Sequence, residues 1–148
     1  MMAFVEPFVI TQEDSNVTQA DGTAETLQDL FKYRVPTGIV IILRPGDPVK
    51  LHVDETDSSV GQATSQVLFE IRDATGEEIK PLLGPMQYAN FSASGIGEFQ
   101  DEDKIVRLGI GREIRVREKE YIVVRVKNAT PYADKDLSWF SIECHRER

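Results

Sequence analysis

The chain has 148 residues, with 17 Lys and Arg against 25 Asp and Glu for a net charge of −8, 41% apolar residues and a single cysteine. This length allows one well-filled core, and a lone cysteine excludes an internal disulfide framework or a cysteine-based zinc cluster. No basic surplus exists to hold a phosphate backbone, and no apolar run approaches the roughly 20 residues of a membrane helix, so neither nucleic acid nor membrane is an expected partner.

The acidic excess sits at the start. Residues 1–30 contain Glu6, Glu13, Asp14, Asp21, Glu25 and Asp29 with no Lys or Arg, and carry −6 of the net −8. The opening MMAFVEPFVITQED has no basic leader, and Glu6 and Pro7 interrupt its apolar stretch, unlike a secretory signal. Without such a signal, the sequons at Asn16, Asn90 and Asn128 read as chance. Between residues 11 and 26 the only large apolar side chain is Val17. Ordering each residue costs about 1–2 kcal/mol, and each large apolar side chain returns about 1.5–3 kcal/mol on burial. Backbone hydrogen bonds add about 0.5–1.5 kcal/mol apiece, and the balance for residues 1–30 is still marginal, so they read as an extended acidic arm that takes its contacts from another subunit. Phe4, Val5, Phe8, Val9 and Ile10 would anchor its tip. Arg112, Arg115, Arg117, Arg125 and Lys127, with Arg107 and Lys119, would offer a basic track on a neighbouring copy. The alternative is an arm that adds a strand to its own domain.

Thr26 to Phe31 could form one helical turn capped by Thr26. From residue 31 to 148 the sequence reads as one domain of short strands near 31–35, 38–44, 48–54, 65–73, 78–82, 86–92, 104–109, 112–118, 120–128 and 137–145. Val49, Leu51 and Val53 alternate with Lys50, His52 and Asp54, and Val67, Phe69 and Ile71 with Leu68, Glu70 and Arg72. Ile122, Val124 and Val126 alternate with Val123, Arg125 and Lys127, and Phe140, Ile142 and Cys144 with Ser141, Glu143 and His145. Period two with one polar face marks half-buried antiparallel strands. Asp73-Ala-Thr-Gly76 fits a hairpin connection, and Pro45-Gly46-Asp47-Pro48 a corner. The run Gly38–Leu43 is apolar on both faces, as in a covered strand or one facing another subunit. The expected fold is an all-β antiparallel sandwich of jelly-roll or Greek-key type.

Little here reads as catalysis. The two histidines, His52 and His145, fall on polar strand faces with no ligand-like spacing, so no metal or cofactor is expected. Asp54-Glu-Thr-Asp57 and Asp101-Glu-Asp103 lack a calcium-loop pattern. Gly95-Ile-Gly97 and Gly109-Ile-Gly111 open no predicted helix that could hold a phosphate. Cys144, at an alternate position to Ile142, reads as a small core residue rather than a nucleophile. Tyr88, Phe91, Tyr132 and Trp139 could build an aromatic platform, but Phe91 and Trp139 sit where packing is expected, which leaves Tyr132 as the candidate exposed contact.

The polar arm leading into Tyr33-Arg-Val-Pro-Thr-Gly-Ile-Val-Ile-Ile-Leu-Arg-Pro-Gly-Asp47, and the closing Asp136-Leu-Ser-Trp-Phe-Ser-Ile-Glu143, resemble the β-sandwich head decoration (cement) proteins of tailed bacteriophages and related virion accessory proteins. The resemblance covers residues 31–148 in style and rests on no strict motif. It implies a non-enzymatic virion protein, assembled in the host cytoplasm, that binds the major capsid protein and copies of itself, often as a trimer. A carbohydrate- or ligand-binding sandwich module, or a minor tail or baseplate component, is the alternative.

Overall fold

A computed structural model describes residues 3–13, 28–55, 66–87, 106–127 and 133–148. They form β1 (Val5–Glu13), β2 (Gln28–Arg34), β3 (Val40–Leu43), β4 (Pro48–Glu55), β5 (Gln66–Arg72), β6 (Glu78–Gln87), β7 (Val106–Arg107), β8 (Ile114–Val116), β9 (Tyr121–Lys127) and β10 (Ala133–Glu147). All pairings are antiparallel and define two packed sheets, the expected all-β sandwich.

The first sheet is organised by β10. One edge of β10 pairs with β1, from Val5 opposite Glu147 to Glu13 opposite Trp139, without a register shift. The other edge pairs with β4 at Trp139–Ile142 and with β3 at His145–Glu147. β3 and β4 therefore lie end to end as one interrupted row, and β7 and β8 lie beyond them on β4 and β3. The two interruptions sit side by side: the Gly46 N–H donates to the Leu108 carbonyl at 2.8 Å, and the Leu108 N–H to the Asp47 carbonyl at 3.0 Å. The expected corner at Pro45–Pro48 is thus an excursion that returns to the same row. Gly46 takes a positive φ of 86°, which suits glycine, and the Asp47 carboxylate accepts the Arg44 N–H at 2.8 Å.

The second sheet runs β2-β9-β5-β6. The Asp73–Gly76 hairpin joins β5 to β6 as the sequence suggests. The Asp73 N–H donates to the Glu77 carbonyl, and the Asp73 carboxylate accepts from the Thr75 N–H, the Thr75 hydroxyl and the Glu77 N–H.

Alternate residues of both sheets meet between them. Phe140 of β10 packs against Phe31 of β2 and Phe69 of β5, with centroids 5.2 and 6.1 Å apart. Ile41, Leu43, Val49, Leu51, Val67, Ile71, Ile122, Val124 and Ile142 complete this buried core. Aromatic and β-branched side chains at period two supply that interior with little main-chain strain. Within the apolar Gly38–Leu43 run, Ile41 and Leu43 enter the core, and Ile42 is buried on the opposite face with β10 and β8 on either side. The outer face of this strand is thus closed at Ile42 and half-open at Val40.

The acidic arm drawn over residues 1–30 is corrected for the described parts. Residues 5–13 are β1, a strand of the chain's own sheet, and Gln28 to Leu30 already belong to β2. The contacts that the marginal balance assigned to another subunit come, for residues 5–13, from β10 of the same chain: a continuous ladder, with Ile10 fully buried. The helical turn ending at Phe31 is likewise replaced by strand from Gln28 onward, with Leu30 and Phe31 both buried across a register shift. Its cap Thr26 lies outside the described residues, as do residues 14–27 of the arm.

Candidate functional site

Among the described residues, β1 has one paired edge and one open edge. The Phe4 and Arg148 backbones exchange hydrogen bonds in both directions, at 3.3 and 2.9 Å. Antiparallel alternation then turns the backbone groups of Glu6, Phe8, Ile10 and Gln12 toward β10, and those of Val5, Pro7, Val9 and Thr11 toward the open edge. Pro7 therefore stands where its missing N–H breaks no bond of the ladder.

The expected anchor residues divide between two roles. Ile10 is fully buried in the core, and Phe8 packs against it with the Arg146 guanidinium 4.5 Å from its ring centre. Phe4, Val5 and Val9 stay 57%, 42% and 50% exposed, and they are the exposed large hydrophobic residues found among the described ones. Glu6 is held by the chain itself, 2.6 Å from Arg146 Nε and 3.1 Å from Arg148 Nε. Its carboxyl lies below the usual range, first through the Arg146 hydrogen bond and against a small effect of burial.

The expected basic track is not one surface. Arg112, Arg115 and Arg117 lie on or beside β8 in the first sheet, whereas Arg125 is on β9 in the second. Arg115 is occupied by Glu147 at 2.9 Å and Glu113 at 3.5 Å. Arg125 lies 3.2 Å from Asp29 and 3.6 Å from Glu70. The Lys127 side chain and Tyr132 fall outside the described residues, as do Tyr88 and Phe91.

Arg125 belongs to a cluster that sequence reading missed. On the outer face of the second sheet, Arg72 bonds both oxygens of Asp29 at 2.7 and 2.8 Å and Glu70 Oε1 at 2.8 Å, and Lys32 lies 3.4 Å from Asp29. Glu70 is fully buried, and its Oε2 has no hydrogen-bond partner among the described residues. Period-two alternation places Glu70 and Arg72 on one face, but their partners come from strands distant in sequence. This arrangement ties β2, β9 and β5 together.

Trp139 corrects a second expectation. It is half-buried on the outer face of the first sheet, directly opposite His52 on β4, with stacked rings 6.0 Å apart. His145 is also half-buried, with Nδ1 3.4 Å from Arg44 Nη1, and both histidines lie on the outer sheet face, as their alternation implied. Cys144 is buried as expected, and burial first, then the Asp47 charge, pushes its thiol up to about 12. Gly109-Ile-Gly111 lies in the connection between β7 and β8, away from any helix, and Gly95-Ile-Gly97 falls outside the described residues. Two grooves flank the β8 side. One of about 370 Å³ is lined by Lys80, Ile110, Gly111, Arg112 and Ile114, the other, of about 450 Å³, by Gly38, Val40, Arg115, Arg117 and Glu118. Among the described residues, no three His, Cys, Asp or Glu side chains are grouped to hold a metal ion.

No protein-family model and no curated protein matches the chain. Solved structures similar to it include the infectious bursal disease virus VP2 subviral particle, at 11% identity, 97% of this chain, 32% of that one and a TM-score of 0.37. They also include the CocE/NonD family hydrolase SACOL2612 from Staphylococcus aureus, at 15% identity, 98% of this chain, 36% of that one and a TM-score of 0.41. The chain thus spans about a third of the proteins it matches, and with TM-scores this low neither likeness carries a functional conclusion.

Proposed function

We propose that the chain is a non-catalytic virion structural protein, a capsid decoration protein that attaches to the major capsid protein through the open β1 edge of its sandwich. The observation that carries this reading is the gathering of exposed apolar side chains, Phe4, Val5 and Val9, on and beside one strand whose second edge has no partner among the described residues. An open edge with apolar side chains is a template for another protein surface; Pro7 removes one N–H from it and leaves those of Val5, Val9 and Thr11 facing outward. The resemblance of residues 31–148 to phage head decoration proteins supplies the setting. In a capsid lattice many weak edge contacts would sum to a strong attachment.

Co-sedimentation with capsids of the virus that encodes the chain tests this. Wild-type protein should pellet with them, and the double variant Phe4→Ser, Val9→Lys should lose at least tenfold in binding. A wild-type chain that stays in the supernatant, or a variant that binds equally well, overturns the reading.

A second reading is favoured by one observation, the Trp139–His52 stack on an outer sheet face, since a half-buried tryptophan can take a sugar ring against its plane. Retention on a glycan array that Trp139→Ala abolishes would establish a carbohydrate-binding module. No retention on any glycan would remove it.

A further inference from the structure

We infer that β1 pairs with a second copy of itself, two chains joining β1 to β1 antiparallel about a two-fold axis so that their first sheets become one. This deepens the docking reading above and rests on it for the use of the β1 edge, while naming the occupant.

Three features select a second copy. First, the outward row of β1 is uncharged from Val5 through Pro7 and Val9 to Thr11, so a two-fold apposition brings no like charges together. Glu6, between Val5 and Pro7, is already paired with Arg146 and Arg148, and Glu13 closes the row beyond Thr11. A strongly acidic chain repels its copies, but the carboxylates beside this row, Glu147 opposite Val5 and Glu143 opposite Val9, belong to β10 and lie one strand back from the seam.

Second, β1 pairs with β10 over nine residues without a bulge, so its open edge offers the backbone groups of Val5, Val9 and Thr11 and the Pro7 carbonyl in one straight row, with only the Pro7 N–H missing. The opposite edge of the first sheet is unlike it. β8 has three residues and is flanked by Arg112, Glu113, Arg117 and Glu118, the mixed charges that discourage edge pairing. In the second sheet the edge strand β6 carries Pro81 and Pro85 and several register shifts.

Third, the apolar side chains are self-complementary. Facing residues in an antiparallel pair lie on the same side of the sheet. Two Pro7 residues facing each other would leave the centre without a donor, which sets the axis at Phe8 or Val9 instead. With the axis at Phe8, Val9 meets Pro7 and Val5 meets Thr11 of the other copy; with the axis at Val9, the two Val9 side chains meet and Val5 faces Glu13. The isologous geometry closes at two chains.

Light scattering during size-exclusion chromatography of the full chain reads this out. The wild type should elute at twice the chain mass and dissociate on dilution. Val9→Lys should elute as a monomer, and so should Val9→Pro, which removes an N–H on the open edge and none from the β1–β10 ladder. Arg117→Glu on the opposite edge should remain dimeric. Should either Val9 variant fail to fold, Val9→Cys provides a second measurement. A short bis-maleimide should link it into dimers, and leave the wild type, whose Cys144 is buried, as single chains. A wild type that is monomeric at every concentration, or a dimer indifferent to Val9→Lys, overturns the inference. A monomer that still pellets with capsids would do so while sparing the docking reading. A Val9-dependent dimer that binds no capsid supports self-pairing and removes only the capsid reading.

Discussion

Arg72 grips Asp29 across an intervening strand: Nη1 donates to Oδ2 at 2.8 Å and Nη2 to Oδ1 at 2.7 Å, although β9 runs between β5 and β2. The same guanidinium holds Glu70, whose side chain is 1% exposed. Removing it strands a buried carboxylate, with Arg125 3.6 Å away as a distant substitute. Breaking one side of such a pair costs about 3–5 kcal/mol, whereas replacing the whole pair with apolar groups costs far less. Arg72→Met should therefore lose about 3 kcal/mol in urea unfolding, and Glu70→Leu added to it should recover much of that loss. A single variant as stable as the wild type would show that the network does not tie the strands together.

Acid should reach this cluster at Asp29. Burial raises the Asp29 carboxyl, but the Arg72 hydrogen bonds and the charges of Arg72, Lys32 and Arg125 outweigh it and hold the group below its ordinary 3.8. A folded-state value below the unfolded one means that the stabilisation is fully present above about pH 4. It is lost as pH falls through the lowered value. Asp29→Asn should thus be less stable than the wild type at neutral pH and show a flatter loss below pH 4 in unfolding midpoints measured from pH 2 to 7. Parallel curves for the two proteins would exclude Asp29 as the titrating group.

Cys144 should be inert in the folded chain. Its thiol is buried and pushed up to about 12, so almost none is thiolate at neutral pH. Labelling with a maleimide at pH 7 should be at least a hundredfold slower in buffer than in denaturant. Equal rates would mean that the β1–β10 ladder covering it opens readily.

Gly84 should not tolerate alanine. Its φ is +95°, and an added Cβ would lie 2.5 Å from the Val67 carbonyl oxygen and 3.1 Å from the Met86 nitrogen, both backbone atoms. Gly76 has a similar φ of +91° but open space around it. Gly76→Ala should cost only the conformational term, about 1–2 kcal/mol, and Gly84→Ala distinctly more in the same thermal or urea measurement. Equal losses would argue against the close approach of β6 to β5.

How much of this was legible depends on where the partners lie in the chain. Alternation alone located the inward rows Val67-Phe69-Ile71, Ile122-Val124-Val126 and Phe140-Ile142-Cys144, because period two is a local property. That β1 adds a strand to its own domain stood only as the alternative, because the ladder's partner lies more than 120 residues away and no local pattern chooses between it and another subunit. Gly84 and Pro85 suggested a break between two strands, where the chain keeps pairing with β5 through register shifts. Leu30 and Phe31 mimicked a helical turn because a shift on β2 buries two successive residues. The Asp29–Arg72–Glu70–Arg125 cluster and the Trp139–His52 stack draw their members from separate strands, and a linear pattern holds no trace of such meetings.

Because, among the described strands, β10 alone joins β1 to the rest of its sheet, β1 must wait during synthesis for a partner more than 120 residues behind it. During synthesis Phe8 and Ile10 have no native surface to cover them, and closing so long a loop makes this a late and slow folding event. A nascent chain stalled before residue 139 would hold a completed β2-β9-β5-β6 sheet beside an unpaired, adhesive β1, a form suited to capture by a chaperone or by a sister chain on the same messenger.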